Sequence, residues 1–153
     1  MAQKRFRYRL QQILELKIQA EEDEKEKLAK LIQQQENERQ IKAQLEQKLV
    51  SIREELKVRQ ANGTLDINQL RFFPQHIEFV KGQIVNQELR IKELSIRIAQ
   101  QRDALMKAAQ ERQSYEKNKE KSQEKWLAEI EQEENKMRDE LATLKYARDP
   151  SAT

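Results

Sequence analysis

The sequence predicts an all-α fold, a long antiparallel two-helix coiled coil (a helical hairpin) whose second helix overhangs the first at its C-terminal end. Three observations predict it. Charged residues make up 37% of the 153 residues, and only 2 Gly and 2 Pro are present, a composition typical of long helices. Apolar residues recur at heptad spacing along most of the chain. One strong helix-ending signal, Asn62-Gly63, divides it. We therefore expect a single domain over residues 1–153.

The first helix is predicted over residues 5–61. Its apolar residues follow two heptad series that form the a and d positions of a seam: Leu14, Leu28, Leu49 and Leu56, and Leu10, Leu31, Leu45 and Ile52. Polar residues interrupt the same series: Glu21, Glu24, Gln35, Glu38 and Lys42. These residues either set the register of the coil or lie on a solvated face while Ile32 and Ile41 take over the seam. We favour the second interpretation.

A turn is predicted over residues 62–66. Gly63 can adopt the left-handed conformation that ends a helix, and Asp66 followed by Gln69 is typical of a capping box that starts the next one. A short loop between two long helices makes them antiparallel. With the turn near residue 64, the range 28–56 is predicted to face the range 77–105.

The second helix is predicted over residues 67–148. Its seam is the most regular pattern in the chain: Ile77, Ile84, Ile91, Ile98 and Leu105, with Val80, Leu94 and Ala108 beside them. Pro74 lacks a backbone donor and is predicted to kink or restart the helix, and Asp149-Pro150 to end it. The first helix ends opposite about residue 125 in this register. The apolar residues beyond it then lack a partner helix in this chain: Trp126, Ile130, Met137, Leu141 and Leu144.

Several function classes are excluded by what the sequence lacks. It has no cysteine, no Gly-rich phosphate loop and no nucleophile elbow, and its single histidine, His76, has no companion ligands at metal-binding spacing. We therefore expect no enzymatic activity, no cofactor and no metal. The 30 basic and 27 acidic residues are intermixed, which argues against nucleic-acid binding. Without a long apolar run or a signal-peptide core, we expect no direct membrane insertion.

Four segments resemble motifs of the FliJ family of flagellar type III export proteins. They are FRYRLQQILELK at 6–17, LRFFPQHIEFV at 70–80, YEKNKEK at 115–121 and DELA at 139–142. The order and spacing of the segments carry the resemblance over nearly the whole chain. Two residues depart from the pattern, since the family usually has an apolar residue at the position of Asn118 and Pro74 interrupts the aromatic stretch.

The resemblance implies a role in flagellum biogenesis for a hairpin similar to the central stalk of rotary ATPases. It implies a cytoplasmic protein, peripheral at the cytoplasmic face of the inner membrane and monomeric when free. Its partners would be the export ATPase hexamer, the export-gate membrane protein FlhA and export chaperones. The related YscO family of virulence secretion systems shares this architecture and remains an alternative, as does a homo-oligomeric structural coiled coil.

The resemblance also assigns candidate binding residues. Those for the ATPase ring are Arg5, Phe6, Leu10, Trp126, Ile130, Met137, Leu141 and Leu144. Those for the export gate are Phe72, Phe73, His76 and Val80.

Each group has a simpler interpretation. The overhang could pair with a second copy of the chain or fold back as a short third helix, and the aromatic residues could merely close the hairpin. The basic segment 4–9 could bind an acidic protein, nucleic acid or a membrane surface, or complement the acidic range 129–134 of the second helix. For this segment we favour the intramolecular contact or a protein partner.

Overall fold

The structure, a computed structural model, describes residues 5–148 and confirms the predicted all-α class. It consists of helix α1, Gln11–Ala61, and helix α2, Ile67–Arg148, packed against each other in antiparallel directions. Lys4 and Asp149-Pro150, which the sequence analysis singled out, lie outside the described residues. The described residues divide into two compact units. We call residues 22–106 the turn unit, and residues 5–21 with 107–148 the terminal unit.

The turn is built as its sequence predicts. Gly63 has a φ of 64°, and its N–H donates to the carbonyl of Gln60 at 3.3 Å while that of Thr64 donates to Arg59 at 3.1 Å. This pair of bonds is the Schellman arrangement, which satisfies the last carbonyls of a helix. Asp66 then caps α2, because its Oδ1 accepts the backbone N–H of Gln69 at 2.7 Å.

Pro74 lies inside α2, which is continuous from Ile67 to Arg148. The predicted restart of the helix at this residue is therefore wrong. Pro74 occupies the second turn of the helix, where its missing N–H leaves only the carbonyl of Leu70 without its intrahelical donor. Phe73, directly before the proline, is buried in the core cluster against α1, and this packing holds the helix here.

The core cluster of the turn unit joins both helices next to the turn. Ile52, Phe73 and Val80 are its buried members, with exposed fractions of 7%, 4% and 0%. Partly buried apolar side chains pack around them: Leu49, Leu56, Leu65, Ile77 and Ile84. All but Leu65 and Phe73 belong to the predicted heptad series, so this part of the seam forms as the sequence indicates.

Farther from the turn, polar side chains remain in the seam of the turn unit. The buried Gln35 donates its amide to Ser95 Oγ at 2.6 Å and to the carbonyl of Ile91 at 3.2 Å. Ile32 and Ile41, by contrast, are 44% and 43% exposed. The favoured interpretation, in which these two isoleucines replace the polar residues in the seam, is therefore wrong. Hydrogen bonds across the helix pair allow the polar side chains to be buried.

Two glutamines of α2 also form hydrogen bonds across the seam, each to a glutamate of α1. Gln87, which is 4% exposed, donates to the carbonyl of Glu38 at 3.0 Å and also to its carboxylate. Gln101 does the same to Glu24, with 3.1 Å to the carbonyl. In each case the glutamine of α2 bonds both to the backbone and to the side chain of one glutamate. The polar residues of α1 therefore have specific partners in α2.

In the terminal unit, α1 begins at Gln11 rather than at the predicted residue 5. The side chain of Tyr8 is buried, and its hydroxyl donates to Asn118 Oδ1 at 2.6 Å and lies 3.3 Å from the carbonyl of Tyr115. The N–H of Gln11 donates to the carbonyl of Tyr8 at 3.2 Å, which forms the entry turn. This contact with α2 fixes residues before Gln11 in a non-helical conformation, so the helix starts later than its sequence favours.

Candidate functional site

The predicted ATPase-binding residues divide into a packed group and an exposed group. Phe6 and Trp126 belong to the packed group, since their rings contact each other with 5.7 Å between centroids and 51° between planes. Both side chains are half-buried, as are those of Leu10 and Ile130. Arg5, beside them, is exposed. Trp126 therefore contacts the N-terminal segment and is not a free residue of the overhang.

The exposed group lies on the overhang, residues 131–148 of α2, where every residue is exposed. Met137, Leu141 and Leu144 are 49%, 62% and 61% exposed. Their spacing places them on one face of the helix, in line with Ile130. An apolar helix face without a covering element is typical of a surface that binds another protein.

The basic N-terminal segment makes no ion pair with the acidic range 129–134 among the described residues. Instead, Arg7 lines a groove with Lys119, together with Tyr8 and Gln123. The sequence analysis favoured either a contact between this segment and the acidic range 129–134 or a protein partner. The described residues give no support to the contact with the acidic range. Arg5, Arg7 and Arg9 are exposed.

Two ion pairs between the helices stabilise the terminal unit. Lys17 Nζ lies 2.9 Å from Glu111 Oε2, and this hydrogen bond, with the attraction of the carboxylate, raises the pKa of Lys17. Arg112 bonds to Glu116 at 2.8 Å and to the carboxylate of Glu21. Hydrogen bonds to Glu116 and then Glu21 raise the pKa of Arg112. Glu21, one of the interrupting polar residues of α1, is therefore paired inside the seam.

The predicted export-gate residues also divide into two groups. Phe73 and Val80 belong to the core cluster, and the Arg59 guanidinium lies 5.5 Å from the centroid of the Phe73 ring. Phe72, by contrast, is 56% exposed and stacks on His76 with 5.3 Å between ring centroids and 20° between planes. The aromatic stretch thus both closes the hairpin and presents a surface. Phe72, His76 and the 62% exposed Phe79 form it, and we call them the aromatic surface.

Sequence reasoning missed two contacts in the terminal unit. In the sequence Tyr8 lies among basic residues and carries no sign of a partner, although its hydroxyl is bonded to Asn118. The departure of Asn118 from the family pattern was the available signal, since a polar residue at a seam position needs a partner on the other helix. The pairing of Phe6 with Trp126 had no local signal, because the two residues are far apart in the sequence.

Among residues 5–148, no group of His, Cys, Asp and Glu side chains is placed to hold a metal ion. No helix in the same range has the length and apolar character needed to cross a membrane. The exposed surface of this helical framework includes apolar and aromatic side chains, among them Leu141, Leu144 and Phe72.

Comparison with known proteins agrees with the resemblance in the motifs. A family model described as Flagellar FliJ protein matches residues 6–151. No curated protein and no solved structure matches the chain. The family match includes both helices, the turn between them and the four motif segments. Since it spans nearly the whole sequence, the chain belongs to the FliJ family, a component of the flagellar protein export apparatus.

Proposed function

We propose that this protein is the stalk-like, non-catalytic subunit of the export apparatus, and that it binds the export ATPase hexamer through its helix ends. In this proposal it works at the cytoplasmic face of the inner membrane and also contacts the export-gate protein FlhA. The observation that carries the proposal is the overhang. Its residues 131–148 form a regular helix whose apolar face has no covering element among the described residues.

Burial of this face would supply the binding energy. Met137, Leu141 and Leu144 each expose about half or more of their side chains, and burial of this remaining area would contribute about 1–2 kcal/mol per residue. The contact between Phe6 and Trp126 holds the N-terminal segment beside α2. A partner that binds the overhang would therefore meet the exposed Arg5 next to it.

The test is binding and activation of the cognate export ATPase by a variant with Met137→Glu, Leu141→Glu and Leu144→Glu. Three carboxylates on this face would oppose its burial, so we expect the apparent affinity for the ATPase to fall at least about 100-fold. Analytical ultracentrifugation would measure ring assembly, and a phosphate-release assay would measure turnover. The helical content of the variant, measured by circular dichroism, should stay unchanged because these side chains are exposed.

The matched control is Tyr146→Glu. Tyr146 is 64% exposed in α2 but lies on the opposite side of the helix from Met137 and Leu144, so its substitution should leave ATPase binding unchanged. Equal binding by the triple variant and the parent chain would contradict the proposal. If the triple variant instead converts a dimer of the parent chain into a monomer and keeps its ATPase binding, the overhang is a self-association surface.

The proposed gate contact is the aromatic surface. Phe72 and Phe79 are exposed at the start of α2, and the half-buried His76 stacks on Phe72, while the core cluster packs this part of the helix against α1. Aromatic side chains are favoured at the centre of protein interfaces because they bury a large area with little loss of conformational freedom. Phe73 and Val80 would support this surface from inside the hairpin.

Phe72→Ala tests the gate contact against the purified cytoplasmic part of FlhA. We expect the dissociation constant to rise about tenfold or more, since removal of a central aromatic residue typically costs more than 1 kcal/mol. Leu70→Ala is the control, because Leu70 is 52% exposed two residues away on the other side of the helix. An unchanged dissociation constant for Phe72→Ala would rule out this surface, and isothermal titration calorimetry would measure it.

A further inference from the structure

The residues before α1 lie against α2 where the overhang begins. We call residues 5–10 the N-terminal strap, and none of them is part of a helix. The ring of Phe6 contacts that of Trp126 with 5.7 Å between centroids. The hydroxyl of Tyr8, which is buried, donates to Asn118 Oδ1 at 2.6 Å. A ring contact and a hydrogen bond thus join the strap to α2.

The strap covers the first turn of the apolar face that the overhang continues. At about 100° per residue, one sector of α2 about 60° wide contains the residues that we call the overhang face: Trp126, Ile130, Met137, Leu141 and Leu144. Glu133 and Glu134 lie at the two borders of this sector. Trp126 and Ile130 are half-buried, whereas the members beyond them are exposed. The strap therefore covers one end of a face that extends about 27 Å.

The sequence of the strap does not itself oppose a helix. It contains no Gly and no Pro, and Leu10 continues a heptad series of α1. Arg5, Arg7 and Arg9 are exposed and form no ion pair with any residue in the range 5–148. The non-helical conformation of the strap thus depends on its contacts with α2. Without these contacts, local preference favours an α1 that starts earlier than Gln11.

We propose that the strap is a displaceable cover of the overhang face, and that the export ATPase displaces it on binding. Phe6 then leaves Trp126, α1 extends to residue 5, and Trp126 joins the surface that the ATPase buries. The proposal rests on the proposed function, since it takes the export ATPase as the partner of the overhang. A partner that contacts Trp126 only in the open state shifts the equilibrium toward that state.

A cover of this kind has a benefit and a cost. Tryptophan has a large apolar ring and is strongly enriched at the centres of protein interfaces. Contact with Phe6 lowers the apolar area that the free chain exposes at Trp126, and large exposed apolar patches promote association. The cost is a lower apparent affinity for the partner, because only the open fraction of the chain binds through the complete face.

A crosslink that holds the strap closed tests the proposal with the full chain. Arg7 and Gln123 line one groove, and the chain has no cysteine, so a short bismaleimide crosslinker can join Arg7→Cys to Gln123→Cys. We expect the crosslinked monomer to bind the export ATPase at least tenfold more weakly than the same variant with both thiols capped by N-ethylmaleimide.

The two forms of this variant separate the strap from the proposed function. Equal affinities of the crosslinked and the capped form would overturn the strap alone. A parent chain that does not bind the export ATPase would overturn the proposed function, and this proposal with it.

Loosening the strap should have the opposite effect. Tyr8→Phe removes the bond to Asn118 but keeps Phe6 and Trp126, so we expect the affinity for the ATPase to rise about fivefold. The control is Tyr115→Phe, because Tyr115 accepts from Tyr8 through its backbone carbonyl and not through its side chain. Its affinity should equal that of the parent chain. An unchanged or lower affinity of Tyr8→Phe would overturn the proposal.

The state of Trp126 can be observed directly, since it is the only tryptophan of the chain. Fluorotryptophan incorporated there gives a single fluorine-NMR resonance, which we expect to shift when the ATPase binds the parent chain. In the free chain, Tyr8→Phe should increase the quenching of Trp126 fluorescence by acrylamide. A resonance that keeps its free-chain position in the complex would mean that Phe6 still covers Trp126, and would overturn the proposal.

Discussion

The turn unit and the terminal unit use the same two helices but different chemistry. Next to the turn, the core cluster buries Ile52, Phe73 and Val80 between the helices. In the terminal unit, the apolar contact of Phe6 with Trp126 is accompanied by polar contacts between the helices, as in Tyr8 with Asn118 and Lys17 with Glu111. Apolar burial supplies most of the free energy of folding, whereas hydrogen bonds and exposed ion pairs each contribute little but require particular partners. The core cluster thus provides stability, and the polar contacts specify which residues face each other.

The largest expected effect is that of Phe73→Ala, which should lower the free energy of unfolding by about 3–5 kcal/mol because it empties the centre of the core cluster. Phe72→Ala is the matched control. Phe72 is 56% exposed, so its removal should cost less than about 1 kcal/mol. Urea denaturation followed by circular dichroism would measure both. Similar losses for the two variants would mean that the core cluster does not dominate stability.

A smaller effect is expected in the polar part of the turn unit. Gln87→Ala removes both bonds to Glu38 and should lower the free energy of unfolding by about 1–3 kcal/mol, since it leaves a partly buried acceptor without its donor. The double variant Glu38→Leu with Gln87→Leu should recover most of this loss, because an apolar pair needs no partner. Urea denaturation of the single and double variants would measure this difference.

The double variant Glu38→Leu with Gln87→Leu also tests whether the polar contacts set the register in which α1 and α2 pair. The chain has no cysteine, so a pair at Lys42→Cys and Glu88→Cys reports the observed register through a short bismaleimide crosslinker. A pair at Lys42→Cys and Ser95→Cys reports a shift by one heptad. We expect shifted crosslinks only in the double leucine background. Shifted crosslinks in neither background would limit the polar contacts to a role in stability.

In the terminal unit, Tyr8→Phe removes a hydroxyl that bonds to Asn118 and should cost about 1 kcal/mol. The loss should be local, with faster amide hydrogen exchange near the start of α1 than in the core cluster. Asn118→Leu combined with Tyr8→Phe should restore slow exchange, because the two side chains would then form an apolar contact. Faster exchange that persists in the combined variant would argue against this contact as the anchor of the segment.

The smallest expected effect concerns pH. The pKa of Lys17 is raised above 10.5 by Glu111, so the folded state binds this proton more tightly than the unfolded chain does. The resulting stabilisation is present below pH 10.5 and is lost as the pH rises through the higher folded pKa. Lys17→Gln should therefore be less stable than the parent chain at pH 8, and this difference should shrink at alkaline pH. Urea titrations at several pH values, with Glu111→Gln as the second member of a mutant cycle, would measure it.

Local sequence information predicted the features that depend on neighbouring residues. Gly63 takes the left-handed conformation and ends α1, since glycine has no Cβ to oppose it. Asp66 caps α2 because a short carboxylate can reach the N–H of Gln69 from that position. The heptad pattern also identified most of the core cluster. It could not distinguish Phe72 from Phe73, since both follow the turn in the same aromatic stretch and only packing against α1 buries one of them.

What the sequence determined by itself is the fold class, the turn and the face of α2 that meets α1, because helix periodicity and capping act over a few residues. Only the tertiary structure decided the start of α1, the pairing of Phe6 with Trp126 and the burial of Gln35 and Gln87. Each of these depends on a residue from the other helix. A polar side chain in a seam is stable only when that helix offers a donor or acceptor within reach, and local propensity contains no information about that partner.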